Sequence, residues 1–121
     1  MAIVIKDKMP QGITRLSISF IEKTMAKMDL PGPFQVVVKQ DAELDQVTKF
    51  RFVKGEEIVE LQTDGFSVGY YGEGPTGLKN LLKKFKMVGP DPGRVRLKDG
   101  EEMRWHSRES LGWGDGWLTG E

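Results

Sequence analysis

Residues 47–71 read VTKFRFVKGEEIVELQTDGFSVGYY, and the fold turns on this stretch. Val47 to Val53 and Ile58 to Thr63 are rich in β-branched and aromatic residues, the composition of strands. Lys54-Gly55-Glu56 separates them as a turn, and Asp64-Gly65 carries a strong two-residue hairpin signal before Phe66 to Tyr71. Strands joined by such short turns pair most simply as an antiparallel meander. Upstream, Phe34 to Gln40, with Val36, Val37 and Val38 at its centre, adds a further strand after Pro31-Gly32-Pro33.

Helices flank this block. Leu78, Leu81, Leu82 and Phe85 stand at i, i+3, i+4 and i+7, and Lys79, Lys83, Lys84 and Lys86 take mostly the other faces. Pro75 opens this helix, and Gly89-Pro90-Asp91-Pro92-Gly93 stops it. From Ile13 to Met28 there is no Gly or Pro, and Ile13, Leu16, Phe20, Ile21, Met25 and Met28 recur at helical spacing. Leu16, Ile18 and Phe20 also alternate with Arg15, Ser17 and Ser19, so a short strand competes there. Ala2 to Lys6 begins the chain as a strand. Arg94 to Lys98 and Glu101 to Trp105 flank Asp99-Gly100, a second hairpin signal.

The expected architecture is α+β. An antiparallel sheet of four to six strands packs with two helices in the order β-α-β-β-β-β-α-β-β. Residues 1–109 form one domain, and residues 110–121 form a tail rich in glycine and tryptophan. A chain of 121 residues, 38% hydrophobic and 30% charged, suits a single folded domain. No disulfide, thiolate nucleophile or zinc–thiolate site is expected without cysteine, and His106, the one histidine, cannot make a multi-histidine metal centre. No apolar run approaches a membrane span, and the first residues do not resemble a signal peptide, so a cytoplasmic protein without membrane contact is expected.

Three features could carry function. The first is Tyr70-Tyr71-Gly72-Glu73-Gly74-Pro75-Thr76-Gly77, which contains Gly-x-Gly-x-x-Gly between a strand and a helix. A helix start offers unpaired N–H groups and the positive end of a dipole, so backbone groups here, with Thr76 and the two tyrosine rings, could hold a small anion. The dinucleotide reading fails its context. That motif requires a parallel βαβ unit, whereas the next segment here, Arg94 to Lys98, is charged and turns into a hairpin. No Gly-Lys-Ser/Thr follows for a phosphate loop. The simplest account is a tight corner that needs glycine.

The second feature is a charge asymmetry hidden by equal totals of 18 acids and 18 bases. Lys79, Lys83, Lys84, Lys86, Arg94, Arg96 and Lys98 face a single acid, Asp91, in residues 79–98. Residues 41–64 hold Asp41, Glu43, Asp45, Glu56, Glu57, Glu60 and Asp64 against three bases. A basic face could meet an acidic partner, a second copy or a phosphate backbone, although no nucleic-acid module accompanies it. A solvated helix face is the plainer account. The third feature is the tail, where Trp113 and Trp117 carry large apolar area among glycines. They either fold back on the core or reach a partner.

Catalytic groups are sparse, with Glu73 the one acid–base candidate beside the glycine corner. The leading expectation is therefore a non-catalytic binding or interaction module, working as a homodimer, for a protein partner or small anionic ligand. No cofactor is expected. The alternatives are an enzyme acting on a phosphate-bearing substrate at Gly72–Gly77 and a nucleic-acid-associated protein using the basic face.

Overall fold

A computed structural model describes residues 2–7, 12–41 and 46–107. Five strands and both helices lie close to where residue patterning places them. The strands are β1 (Ala2–Lys6), β2 (Gln35–Gln40), β3 (Gln46–Lys54), β4 (Glu57–Thr63), β5 (Met87–Val88) and β6 (Glu102–Ser107). The helices are α1 (Thr14–Met28) and α2 (Glu73–Lys84). The six strands form one sheet in the order β1-β4-β3-β2-β6-β5. All neighbours are antiparallel except β1 and β4, which run parallel with Ile3 opposite Val59 and Lys6 opposite Gln62. The fold is α+β with a mostly antiparallel sheet.

β2, β3 and β4 form the expected meander. Gly55, with φ of 63°, supplies the left-handed turn that lets Lys54 face Glu57. Phe50 and Phe52 on β3, Val59 and Leu61 on β4, and Val36 and Val38 on β2 point to one face, with Trp105 of β6 opposite Val36. Both helices contribute to the core on that face through Ile21, Leu78, Leu81 and Leu82. Removing such side chains from water stabilises the fold by roughly 1.5–3 kcal/mol each. The helical spacing of residues 13–28 thus prevails over the shorter alternation: Ile21 is fully buried, and Leu16 and Phe20 are partly so. At the end of α1, Asp29 takes a left-handed backbone and the Leu30 N–H returns to the Met25 carbonyl at 3.0 Å.

Two expected strands are absent. Phe66 to Tyr71 would have to pair with β4, but the open edge of β4 is occupied by β1. Arg94 to Lys98 does not pair with β6, which has β2 along one edge and meets β5 on the other only at His106 and Ser107. The first segment instead straps the sheet, burying Phe66 and Val68, with the Phe66 ring 5.7 Å from that of Phe50. The second follows from a 3-10 turn at Pro92–Arg94 that is bound to the first segment, where the Gly69 N–H donates to the Pro92 carbonyl at 3.0 Å. Asp64-Gly65 accordingly makes no hairpin. One strand fewer precedes α2 than expected, and the two-residue β5 is gained. No helix among the described residues is long and apolar enough to cross a membrane. Trp113, Trp117 and the rest of residues 108–121 lie outside the described residues.

Candidate functional site at the carboxyl ends of the parallel strands

Because β1 and β4 run parallel, their carboxyl ends open on the same side. The Asp7 N–H extends the ladder by donating to the Gln62 carbonyl at 2.9 Å. Lys6, Asp7, Gln62, Thr63 and Asp64 therefore emerge together and line a cleft of about 750 Å³. Clefts beyond strand carboxyl ends are recurrent ligand sites in open sheets, and this volume falls within the usual range.

The first turn of α1 lies behind this lining and is tied to it through hydroxyl groups. Thr14 Oγ1 donates to the Gly65 carbonyl at 2.7 Å, and the Gly65 N–H donates to Ser17 Oγ at 2.9 Å. Ser17 Oγ lies 2.6 Å from Thr63 Oγ1, which donates to Asp7 Oδ2 at 3.1 Å. A hydroxyl has one proton, so the direction is fixed: Gly65 to Ser17, Ser17 to Thr63, Thr63 to the carboxylate. Ser17 is buried and its proton is engaged, so the chain orients Asp7 rather than presenting a nucleophile. Asp64 is held as well, accepting from the Gly12 N–H at 3.1 Å. The explanation for Gly65 is proximity: a Cβ there would stand 2.2 Å from Ser17 Oγ and 2.5 Å from the Ile13 carbonyl oxygen.

The opposite wall is the Phe66–Tyr70 strap. Gln46 anchors it by accepting from the Val68 N–H at 2.8 Å, while its amide donates to Gln40 Oε1 at 2.7 Å. Gln62 is positioned from the far face of the sheet, where it donates to Glu60 Oε2 at 2.6 Å. Arg51 pairs with Glu60 Oε1 at 2.8 Å and also donates to Gln35 Oε1 at 2.9 Å. Burial pushes the Glu60 carboxyl up, but hydrogen bonds from Arg51 and Gln62, with the charges of Arg51 and Lys49, hold it below the ordinary range.

The glycine corner borders this cleft but is packed from within. Gly72 starts α2 in extended backbone, with the Tyr70 ring against it. Gly74, Pro75 and Gly77 are buried. A Cβ at Gly74 would lie 2.1 Å from Ser67 Oγ, and one at Gly77 would lie 2.3 Å from Thr14 Cγ2. Thr76 is exposed, and its N–H makes the helical bond to the Gly72 carbonyl at 3.0 Å. Tyr70 is half exposed, its hydroxyl 2.7 Å from Ser67 Oγ, and Tyr71 is largely exposed, its hydroxyl accepting from Arg94 Nε at 3.2 Å. Of the residues singled out by sequence, Tyr70, Glu73 and Gly74 line a smaller recess of about 240 Å³ between the two helix starts. That recess shares Gly12, Asp64, Ser67 and Tyr70 with the large cleft.

The basic residues divide. Lys79 pairs with Asp91 at 3.6 Å, Lys84 pairs with Glu22, and Arg96 donates to the Gly69 carbonyl. Lys83 and Lys86 are exposed. His106 lines neither the cleft nor the recess, and burial, followed by the charge of Arg104, lowers its pKa. No group of three metal-ligating side chains occurs among the described residues.

Lys6, Asp7, Gln46, Gln62, Thr63 and Asp64 escaped the sequence reading as site residues. Their one common trait, a polar residue at a strand end, marks a site only once β1 and β4 are known to be parallel neighbours. Comparison of this chain with protein-family models, curated proteins and solved structures finds no match.

Proposed function

We propose that this chain is a non-catalytic binding module that receives a small polar ligand in the cleft beyond β1 and β4. One observation carries this reading: the hydrogen-bond chain from Gly65 through Ser17 and Thr63 to Asp7 fixes a carboxylate at the cleft lining before any ligand arrives. Groups held in place by their neighbours lose little freedom on binding, which favours affinity. The lining bears three carboxylates, Asp7, Asp41 and Asp64, against one ammonium, Lys6. That balance supports a ligand with donor groups, neutral or positively charged, over the anion that the sequence reading expects.

Titration of the full chain with 1,4-diaminobutane, and separately with inorganic phosphate, tests this by amide chemical shifts. The diamine is expected to move Asp7, Asp64 and Ser67 and phosphate to leave them in place. Asp64→Asn, which keeps an acceptor for the Gly12 N–H, is expected to weaken the diamine about tenfold, the size of one lost charge interaction near 1.4 kcal/mol. Equal response to phosphate, or no response to the diamine, overturns the reading.

A further inference from the structure

The two edges of the sheet differ. β5 forms one with only two residues, Met87 and Val88. β1 forms the other with five, Ala2–Lys6, and among the described residues no strand lies on its outer side. Backbone groups alternate in direction along a strand. The Asp7 N–H turns inward to the Gln62 carbonyl, so the N–H and C=O groups of Ala2, Val4 and Lys6 turn outward. Natural edges of this kind are blunted by proline, a bulge or a charge, because an open edge templates further pairing. The strand AIVIK pairs with β4 without a bulge, and its one charge, Lys6, stands at its end.

The side chains along this edge are apolar and open to solvent. Ile3 is 38% exposed and Val4 50%. Val4 lies on the face of the sheet away from the helices, which it shares with Ile58 and Val53, both also exposed and opposite one another. Charge at this edge is divided by end. Lys6 stands at the carboxyl end of β1, while Asp7 beside it turns to the other face and accepts from Thr63. Glu56 and Glu57, both exposed, enter β4 beside the amino end of β1. A strand added antiparallel brings basic end to acidic end, whereas a parallel copy would bring like ends together.

We propose that a second copy of this chain pairs with β1, antiparallel about a two-fold axis through Val4. In that register Val4 exchanges both backbone hydrogen bonds with Val4 of the second copy, and Ala2 does so with Lys6. Ile3 then opposes Ile5, so the strand is its own apolar complement, as an isologous interface requires. Centring the axis on Ile3 leaves Lys6 without an opposite residue in β1, and centring it on Ile5 leaves Ala2 so. The two Lys6 residues stand about 13 Å apart along the strand direction, beyond a screening length of about 8 Å. Each lies instead on the side of Glu56 and Glu57 of the other copy. The sheet becomes continuous across the dimer, with the helices of both copies on one side. This edge is smaller than a standard interface of about 800 Å² per partner, so the dimer forms reversibly and with concentration.

Sedimentation equilibrium of the full chain, from micromolar to millimolar concentration, tests this. The mass is expected to rise from one chain to two. Val4→Pro removes an outward N–H and spares the ladder to β4, which uses the alternate residues. It is expected to weaken association about thirtyfold, the effect of two lost backbone hydrogen bonds. Val4→Lys sets like charges directly opposite one another and is expected to weaken association as well. A mass of one chain throughout overturns the proposal, as does a mass above two chains or a two-chain mass that either variant retains undiminished. Should the variants fold poorly, the unaltered protein answers directly. In a mixture of isotope-labelled and unlabelled chains, magnetisation transfer between copies is expected from Ile3 to Ile5, and its absence overturns the proposal.

Discussion

The two helix starts make an instructive contrast. α2 begins at a conspicuous glycine-rich corner, and α1 begins at Ile13-Thr14, with no motif at all. Yet the glycines of α2 serve contact: Ser67, Tyr70 and Thr14 occupy the space that side chains would take. The hydroxyls of α1 instead reach across to Gly65 and Thr63 and hold the β4 end of the cleft from behind. Thr14 belongs to both arrangements, its methyl against Gly77 and its oxygen on the Gly65 carbonyl. A glycine pattern identifies a place where backbones come close; whether a ligand or a neighbouring segment comes close depends on the tertiary fold.

The sharpest way to break this contrast is Gly65→Ala. The added methyl would strike the Ile13 backbone as well as Ser17 Oγ, and backbone cannot swing aside. The expected loss is about 3 kcal/mol, at the upper end for overpacking, read by urea denaturation. An effect below about 1 kcal/mol would mean that α1 is not held against Gly65 as described. Next comes Gly77→Ala, expected to cost about 2 kcal/mol because its Cβ meets the Thr14 methyl. Thr14→Ser deletes that methyl and keeps the hydroxyl, so the double variant should recover more than half of the loss. Simple additivity of the two changes would detach the α2 corner from α1.

The smallest expected effect sharpens the comparison by using a hydroxyl outside the network. Thr48 is fully buried on β3, and its Oγ1 has no hydrogen-bond partner among the described residues. Thr48→Val should therefore raise stability by about 1 kcal/mol in the same assay. A loss instead would show that this hydroxyl is engaged after all.

How much of this could be read in advance differs along the chain. The i, i+3, i+4, i+7 pattern of Leu78, Leu81, Leu82 and Phe85 and the valine run of β2 are local facts, and local facts set helices and strands. The error at Phe66–Tyr71 was of another kind. Its residues suit a strand, but a strand needs a free edge, and β1, more than fifty residues away, had taken it. Likewise Asp64-Gly65 has hairpin composition, while its glycine answers to Ser17 and Ile13. The cleft was illegible for the same reason. Asp7 and Thr63 are unremarkable until a parallel pairing, which no short turn announces, sets them side by side.

That pairing has an implication for kinetics and linkage. β1 is joined to the sheet by a contact of long sequence separation, and loop-closure entropy makes such contacts late to form and early to open. Detachment of this single edge strand would carry off Lys6 and Asp7 at once, so binding in the cleft as proposed would be linked to retention of the N-terminal strand. A ligand bound there as proposed would act as a clasp, slowing hydrogen exchange at Val4 and Ile5.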